Sequence, residues 1–465
     1  MISTDSQPVR SAAFGASVVT DNTPRRPVLT LDDLAQPLTR RPERLHALTA
    51  ADFSIAFSLG LDLAEGKPVG HAQRVCYIAT MLADALDVEP QTRAGVYFGG
   101  LLHDVGVTQA ASDLCRVAGV DEDTIFGPSP LRIPDESRAD LAFADRSAVL
   151  DAVHQHCVLG AETVTSLELP DEVAAAVAAH HEAWNGGGFP NALSGEAIPL
   201  EGRILAIADT AEVLIADHPS SLAARRRFVH AIGAYAGVQL DPALVGRLLE
   251  LAKSDEFWLG LYSENMAETL TAMRGPVDTR KSRKRVLRFA EVFADIADAK
   301  GGHTAGHSRR TAEGAAQLGE ALSLDPGHVE MIRIAALLHD IGLLGVPARV
   351  MTKPDILSVT EMQIMRQHPG SSEMVLQDLN GFEEVAQWIA RHHERPDGRG
   401  YPEMLSGDEI PLEARIIAVA DVFSALTAQR PHRGPVSRED ARQILLGAAG
   451  TQLDAELVRL FCSLN

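Results

Sequence analysis

The amino-acid sequence predicts an all-α protein made of two tandem helical bundles that follow a disordered N-terminal segment. The composition favours helices, because Ala and Leu dominate the 465 residues and only 5% of them are aromatic. Apolar side chains recur at helical spacing in Arg93–Leu102 and Val329–Leu338, and alternating β-branched segments are few. A set of histidines also recurs in both halves of the chain, which indicates that one helical unit is present twice.

The domain boundaries follow from the same patterns. Residues 1–42 are rich in Ser, Thr, Pro and Arg without helical periodicity, and we expect them to be disordered. The first bundle is predicted at 45–261, a connector at 262–285 and the second bundle at 286–465. The connector carries a basic cluster at 280–285. We interpret this cluster as a solvated face or a pairing surface, because the chain as a whole is strongly acidic.

The net charge of −21 argues against large nucleic acids and anionic membranes as partners. A small anionic ligand remains compatible with it, because a bound metal reverses the local field. The sequence has no apolar run of 18 residues and no basic head followed by an apolar stretch. Its four cysteines are isolated from one another, which is typical of buried free thiols in a reducing compartment. We therefore expect a cytoplasmic protein.

Five motifs recur in the same order in the two halves. The first half has GHAQRV at 70–75, LLHDVG at 101–106, HCVLG at 156–160, HHEAWNGGGFP at 180–190 and RILAIAD at 203–209. The second half has GHSRRT at 306–311, LLHDIG at 337–342, HPGSS at 368–372, HHERPDGRGYP at 392–402 and RIIAVAD at 415–421. Ten of the 17 histidines fall in this shared register, which predicts a tandem duplication.

One interval differs between the copies. His103 and His156 are 53 residues apart, whereas His339 and His368 are 29 apart. The first copy therefore carries a net insertion of 24 residues within Thr108–Arg146, and its Gly, Pro and Asp content predicts a surface loop or lid.

The repeated residues are metal ligands by type, since imidazole and carboxylate hold divalent iron, manganese, nickel or zinc. The candidates in the second copy are His307, His339, Asp340, His368, His392, His393 and Asp421, and those in the first are His71, His103, Asp104, His156, His180, His181 and Asp209. Each set is too large for one ion and suits two ions that share a carboxylate, for which Asp340 is best placed. Six of the seven remaining histidines read as ordinary: His46, His154, His218, His230, His303 and His328.

Taken together, these motifs resemble the HD-GYP family, a branch of the HD phosphohydrolase superfamily. The second copy follows the family's motif order over nearly its whole length, and the combination is highly specific. The resemblance implies an all-helical enzyme that hydrolyses a cyclic dinucleotide, with cyclic di-GMP preferred and a cyclic GMP-AMP dinucleotide as the alternative. It also implies two divalent ions per site and leaves a signalling-protein partner and a homodimer open.

The family pattern further implies roles for particular residues of the second copy. Asp340 and His339 would be catalytic, with a metal-bridging hydroxide as the nucleophile. The residues implied to contact the substrate are Arg430, Arg433, Lys353, Gly400 and Tyr401. An acid nine residues before the first histidine, Asp62 or Asp298, is expected to touch a metal or to orient a ligand.

Both copies depart from the family at one position. A lysine usually follows HDxG, whereas Val107 and Leu343 stand there in this chain. The first copy has no lysine from Pro68 to Ala252, so the sequence leaves only arginine to compensate there. Arg74 and Arg310 lie three residues after the first histidine and either bind phosphate or pair with a carboxylate.

Other departures separate the two copies. By the resemblance, DGRGYP at 397–402 is the signature loop and RPHR at 430–433 is the RPYR-like segment of the second copy. The first copy has Asn185-Gly-Gly-Gly-Phe189-Pro in place of the signature loop and lacks the RPYR-like segment. The second has Ser424 where the family often has Asp. The leading interpretation is an enzyme whose second module does most of the catalysis. The alternatives are a metal-loaded receptor for a cyclic dinucleotide with little or no activity, and a hydrolase of another phosphate ester.

Overall fold

The structure is a computed structural model that describes residues 48–118, 121, 122, 125, 146–216, 221–276, 282–301, 305–353, 355–428 and 434–464. In these residues the chain forms helices and a few isolated β-bridges, such as that between Asn185 and Ser194, and no strand. The predicted all-α class is therefore confirmed. The predicted disordered segment 1–42 lies outside the described residues.

Helices of the first module are α1 (Ala50–Glu65), α2 (His71–Ala85), α3 (Pro90–Leu102), α4 (Val107–Ala118), α5 (Arg146–Ser166), α6 (Asp171–Ala179), α7 (Leu200–Ala216), α8 (Ser221–Ile232), α9 (Pro242–Leu251), α10 (Asp255–Leu261) and α11 (Met266–Met273). Two 3₁₀ turns, Gly195–Ala197 and Gly233–Tyr235, lie between them. Helix α11 lies within the predicted connector 262–285, so part of the connector is helical. It packs against α1 and α2 of the first module.

Helices of the second module are α12 (Arg283–Lys300), α13 (His307–Ala321), α14 (Pro326–Leu338), α15 (Ala348–Met351), α16 (Val359–Met365), α17 (His368–Leu376), α18 (Glu383–Ala390), α19 (Leu412–Thr427), α20 (Arg438–Ala448) and α21 (Ala455–Leu464). Two 3₁₀ turns, Ile341–Gly345 and Gly407–Glu409, complete it. Most motif residues stand at equivalent places in both modules, at helix termini or, for the last aspartate, within a long helix. The exception is His156, which lies inside α5, whereas its counterpart His368 begins α17.

The first helices of the two modules, α1 and α12, pack against each other. The rings of Phe57 and Phe293 stack with centroids 3.9 Å apart, and those of Phe53 and Phe289 stack at 5.4 Å. All four phenylalanines are buried. Burying an aromatic ring stabilises a fold by roughly 1.5–3 kcal/mol, so this contact is a substantial part of the junction. Buried residues of both modules belong to one hydrophobic core.

Each first helix also reaches the other module. Helix α1 packs on the turn Ile341–Gly345 and on α17, which carry part of the second module's motifs. Helix α12 packs in the same way on α4, just after the first module's HDVG. A buried ion pair joins Lys300 of α12 to Glu122, with Nζ and Oε1 3.2 Å apart.

The structure describes the beginning of the segment that contains the insertion. Val107–Ala118 forms the amphipathic helix α4, whose Ala111 and Cys115 are buried with Ala348 of the second module. The backbone of Arg349 donates to Asp121, so this stretch contributes to the junction between modules. Residues 119, 120, 123, 124 and 126–145 lie outside the described residues, so the surface loop or lid expected within Thr108–Arg146 stays a prediction.

The cysteines are free thiols, of which Cys76, Cys115 and Cys157 are buried and Cys462 is partly exposed. None of the described helices combines the length and the apolar character needed to cross a membrane.

Candidate metal centres

In the second module, the fold brings the seven predicted ligands together from four helix ends and one helix interior. His307 begins α13, His368 begins α17, and the His339–Asp340 pair follows α14. His392 and His393 follow α18, and Asp421 lies within α19. The four histidines His307, His339, His368 and His392 are buried, with at most 3% of their surface exposed.

Asp340 stands between two groups of histidines. Its Oδ2 lies 3.3 Å from His339 Nε2 and 3.7 Å from His307 Nε2. Its Oδ1 lies 3.3 Å from His368 Nε2 and 4.0 Å from His392 Nε2. The two carboxylate oxygens therefore face different ligand groups, as required of a carboxylate that bridges two ions.

Each group is completed by one further residue. Asp421 Oδ1 lies 3.2 Å from His307 Nε2 and 3.8 Å from His339 Nε2. His393 offers a ring nitrogen within 4.8 Å of those of His368 and His392. One half of the centre is thus rich in both carboxylate and imidazole, and the other is mainly imidazole.

Backbone carbonyls fix the tautomers of three of these histidines. The Nδ1 atoms of His339, His368 and His392 lie 2.8, 2.8 and 2.6 Å from the carbonyl oxygens of Ala336, Met365 and Ile389. A carbonyl only accepts, so each Nδ1 carries the proton and each Nε2 offers a lone pair. This arrangement is typical of histidines that bind metals.

The lone pairs converge where no protein donor meets them. His368 Nε2 and His392 Nε2 are 3.5 Å apart, and His339 Nε2 has no hydrogen-bond partner among the described residues. Two facing acceptors repel unless a cation or a proton lies between them. The donor set, its fixed tautomers and its unpartnered buried nitrogen therefore fit divalent metal ions.

Burial and neighbouring charges divide the histidines into two classes. Burial, together with nearby imidazoles, lowers the pKa of His392 well below its usual value and that of His393 to about 4. Burial alone would also lower the pKa of His339, but the carboxylates of Asp340 and Asp421 outweigh it and raise that pKa to about 9. At pH 7 the imidazoles of His392 and His393 are therefore neutral, whereas His339, beside its two carboxylates, holds on Nε2 a proton that a bound ion would replace.

The glycine of HDIG allows the two parts of the centre to approach. A Cβ at Gly342 would lie 2.0 Å from the carbonyl oxygen of His368, so only glycine fits between the turn and α17. Ser372 ties the same parts together, because its hydroxyl donates to the carbonyl of His339 and accepts from the amide of Gly342.

The aspartate that stands nine residues before the first motif histidine accepts hydrogen bonds from backbone amides. Asp298 accepts from the amide and hydroxyl of Ser308, and Asp62 accepts from the amides of Gly70 and Ala72. Each carboxylate therefore caps the helix that begins with His307 or His71. Of the two predicted roles, the structure supports orientation of the ligand.

The first module assembles the matching residues around Asp104. Its Oδ2 lies 3.0 Å from His103 Nε2, and its Oδ1 lies 3.8 Å from His156 Nε2 and 3.6 Å from His180 Nε2. His71 Nε2 lies 3.5 Å from Asp209 Oδ1. His181 offers a nitrogen within 4.8 Å of those of His156 and His180.

The sequence matches a family model for the HD domain over residues 133–244 and 291–457, which together make up more than half of the chain. The chain belongs to the HD domain family. The two matched segments lie one in each module, in agreement with a tandem arrangement of HD domains.

Relatives of known function share this architecture over almost their whole length. The 3'3'-cGAMP-specific phosphodiesterase 3 of Vibrio cholerae is 29% identical, and the alignment covers 87% of this chain and 92% of that protein. The crystal structure of a cyclic GMP-AMP specific phosphodiesterase from V. cholerae superposes with a TM-score of 0.64 at 26% identity, covering 89% of this chain and 97% of that one.

A second group of relatives aligns over a shorter part of this chain. The cyclic di-GMP phosphodiesterase response regulator RpfG of Xanthomonas campestris is 37% identical over 42% of this chain and 50% of its own length. These proteins are HD-GYP phosphodiesterases, so the resemblance to that branch is confirmed.

The two HD modules hold their first histidine differently. In the first, Glu212 Oε2 lies 2.6 Å from His71 Nδ1, and Arg74 pairs with the other oxygen of the same carboxylate. His71 and Arg74 hold the pKa of Glu212 at about 2 against the effect of burial. In the second, Ser424 Oγ takes the place of Glu212 at 3.0 Å from His307 Nδ1.

This difference resolves the two interpretations of the arginines. Arg74 pairs with a carboxylate, whereas exposed Arg310 donates to the carbonyl of Ala305 and makes no ion pair with any described residue. Arg310 is thus available to an anion in the second HD module, and Arg74 is not.

Lys67 overturns the prediction that only arginine compensates in the first HD module. It stands one residue before the stretch without lysine, and its Nζ lies 2.6 Å from Asp104 Oδ2. Burial alone would lower the pKa of Lys67, but Asp104, Glu65 and Asp209 raise it well above its usual value. A lysine that directly follows HDxG can be found from the sequence motif. Lys67 lies in the α1–α2 loop, far from that motif in sequence, and only the fold brings it to Asp104.

The predicted substrate residues are placed in different ways. Tyr401 stacks on His393 with ring centroids 4.9 Å apart, and Phe189 lies against His181 at the same distance in the first module. Gly400 packs on the backbone of the HHE motif, where a Cβ would lie 2.5 Å from Glu394 Cα. Lys353 pairs with Glu361 at 2.6 Å. Arg430 and Arg433 lie outside the described residues.

Sequence reasoning missed one residue beside the signature loop. The guanidinium of exposed Arg366 lies 5.2 Å from the centre of the Tyr401 ring. The matching residue of the first module is His154, interpreted as ordinary from sequence, which stacks on Phe189 at 4.7 Å. Arg366 stands two residues before His368, and His154 stands two residues before His156. This shared position is the sequence signal that could have found both.

Proposed function

We propose that this chain is a metal-dependent phosphodiesterase that hydrolyses 3'3'-cyclic GMP-AMP and that its second HD module carries the reaction. Membership of the HD domain family and phosphodiesterase relatives support the enzyme class. The substrate and the division of labour between modules are our proposals.

The arrangement around Asp340 carries the proposal. Its two oxygens face two separate groups of histidines, and His339 Nε2 has no hydrogen-bond partner among the described residues. His368 Nε2 and His392 Nε2 face each other at 3.5 Å. We assign one ion to His307, His339, Asp340 and Asp421, and the other to Asp340, His368, His392 and His393. Such ions would lower the pKa of a bound water, which then attacks phosphorus as hydroxide near neutral pH. They would also supply positive charge that stabilises the phosphoryl oxygens.

The chain's own residues supply the orientation of the substrate. Tyr401 presents an aromatic face beside His393, and Arg366 lies over that ring, so the pair suits a stacked base with a neighbouring phosphate. Arg310 lies one helical turn from His307 and is available to a second phosphate. The resemblance adds Arg430 and Arg433 to this group.

The relatives favour cyclic GMP-AMP over the cyclic di-GMP preferred from the sequence. The proteins named for 3'3'-cGAMP include one aligned over 87% of this chain, whereas RpfG, named for cyclic di-GMP, aligns over 42%. A substrate that depends on both modules is more consistent with the longer match. Cyclic di-GMP remains the alternative and is tested beside it.

The lysine missing after HDxG supports a second candidate, a receptor that binds the dinucleotide without cleaving it. Leu343 occupies that position, and an aliphatic side chain neither donates a proton nor neutralises charge. Lys353 does not replace it, because its amine pairs with Glu361. A receptor of this kind would bind as well as the enzyme but release no product.

The deciding experiment measures hydrolysis of both dinucleotides by protein loaded anaerobically with Fe(II) or Mn(II). The test variant is His339→Ala/Asp340→Ala, and His103→Ala/Asp104→Ala in the first module is its matched control. We expect the linear product from cyclic GMP-AMP, abolished by the test variant and retained by the control. Binding without product from the wild type would leave the receptor, and faster cleavage of cyclic di-GMP would change the substrate.

A further inference from the structure

Lys67 brings a buried amine into the first metal centre. Its Nζ lies 2.6 Å from Asp104 Oδ2, 2.8 Å from Glu65 Oε2 and 3.2 Å from His71 Nε2. All three partners are buried. The second module has His303 in place of Lys67 and Gly301 in place of Glu65 at the matching positions of the sequence.

His71 has one lone pair to give. Its Nδ1 lies 2.6 Å from Glu212 Oε2, which accepts, so Nδ1 carries the proton and Nε2 is the acceptor. The ammonium group of Lys67 donates to that acceptor. One lone pair does not hold an ammonium proton and a metal ion together, so Lys67 and an ion compete for His71.

The other ligands of this half of the centre remain in place. His103 Nε2 and Asp209 Oδ1 have no hydrogen-bond partner among the described residues. The half-site is therefore occupied by an amine, and its ligand set is otherwise intact. Removing the amine should restore it.

The opposite half of the first centre gains a ligand. The candidate atoms of His156, Cys157, His180 and His181 lie within 4.8 Å of one another, and Cys157 Sγ is 3.5 Å from His156 Nε2. Backbone carbonyls of Val153 and Val177 accept from Nδ1 of His156 and His180, which leaves their Nε2 lone pairs 3.4 Å apart. Pro369 stands in place of Cys157 in the second module.

We propose that the first centre binds a single ion, held by His156, Cys157, His180 and His181, while Asp104 pairs with Lys67, whose ammonium group replaces the second ion. This inference rests on the proposed two-ion site of the second module. The thiol of Cys157 releases its proton to solvent when the ion binds.

The ligand set indicates the kind of ion and its role. Three imidazoles and one thiolate are the donors of a tetrahedral zinc site, and four protein ligands of this type characterise structural rather than catalytic zinc. A centre filled in this way leaves no position for a phosphodiester. The first module would thus stabilise the chain or report metal status, and hydrolysis would belong to the second.

Metal content tests the role of Lys67. The background is the full chain with His339→Ala/Asp340→Ala, in which only the first centre is complete. After loading with Mn(II) or Zn(II), we expect one tightly bound ion per chain. Lys67→Ala should raise this to two, and Lys67→Arg, which keeps the charge, should leave it at one. Two ions with Lys67 intact, or no gain on its removal, would overturn the proposal.

Cobalt substitution tests the thiolate separately. In the same background, Co(II) should give a near-ultraviolet thiolate-to-metal charge-transfer band that Cys157→Ser removes while the d–d bands persist. Cys115→Ser, a buried thiol outside the cluster, is the matched control and should keep the band. A spectrum without that band in the Cys157 protein would contradict the assignment. Activity of the unmutated second centre is measured in parallel, so a failure here is distinct from a failure of the proposed function.

Discussion

Ser424 Oγ lies 3.0 Å from His307 Nδ1 and 3.1 Å from the carbonyl oxygen of the same residue. The carbonyl accepts the hydroxyl proton, so the hydroxyl oxygen accepts from Nδ1 and leaves Nε2 free for a metal ion. Ser424 thus performs with a neutral group what Glu212 performs with a charged one in the first module.

Replacing Ser424 should weaken metal binding without unfolding the chain. The expected loss for Ser424→Ala is about 10–100-fold in metal affinity, which is typical when the partner of a ligating histidine is removed. Ser424→Asp restores an acceptor and should recover affinity. Competition with a fluorescent chelator measures both variants, and unchanged affinity in Ser424→Ala would mean that His307 is held by other contacts.

Arg366 should affect substrate binding more than turnover. Its guanidinium lies over Tyr401 at the entrance to the centre and makes no ion pair with any described residue. Losing one charge-assisted hydrogen bond costs about 1.5–3 kcal/mol, so Arg366→Ala should raise KM by roughly 10–100-fold with kcat little changed. His154→Ala, at the matching place of the first module, is the control and should leave KM as it is. Equal effects of the two would remove Arg366 from the substrate site.

Gly342→Ala should separate the two halves of the second centre. The added Cβ would lie 2.0 Å from the carbonyl oxygen of His368, so the turn must move away from α17. A displacement of about 1 Å at a catalytic centre costs on the order of 10²-fold in rate. The matched control is Gly370→Ala in α17, because a Cβ at Gly370 has no neighbouring atom within 4 Å. Normal kcat and metal content in Gly342→Ala would show that the backbone absorbs the clash.

Much of the site could be predicted from the sequence because its ligands lie within repeated local motifs. His339 and Asp340 are adjacent, and His392 and His393 follow one helix. The shared register of these motifs in the two halves was therefore enough to predict that they bind metal ions. Lys67 and Arg366 could not be found in this way, because each reaches its centre through a contact between helices rather than through a motif. Cys157 was visible only as a buried thiol, since its value as a ligand depends on where His180 and His181 fold.

The beginning of the insertion has a role that the sequence did not reveal. Ala111 and Cys115 lie on one face of α4 and are buried against the second module. A contact between duplicated modules leaves no local signature, because the pattern of an amphipathic helix does not identify the surface it covers.

Lys300 and Glu122 should be the most sensitive polar pair of that junction. Both side chains are at most 3% exposed, and Lys300 also donates to the carbonyl oxygens of Leu344 and Ala64. Lys300→Met would leave the carboxylate of Glu122 buried beside an apolar chain, which costs about 3–5 kcal/mol when one partner of a buried pair is removed. Urea unfolding measures this loss. Lys300→Met/Glu122→Leu should regain part of the lost stability, because neither charge is then buried without its partner.

The control is Lys253→Met, whose exposed pair with Glu250 should contribute no more than about 1 kcal/mol. Equal stability of Lys300→Met and the wild type would mean that the junction is held by its other contacts, such as the Phe57–Phe293 and Phe53–Phe289 stacks.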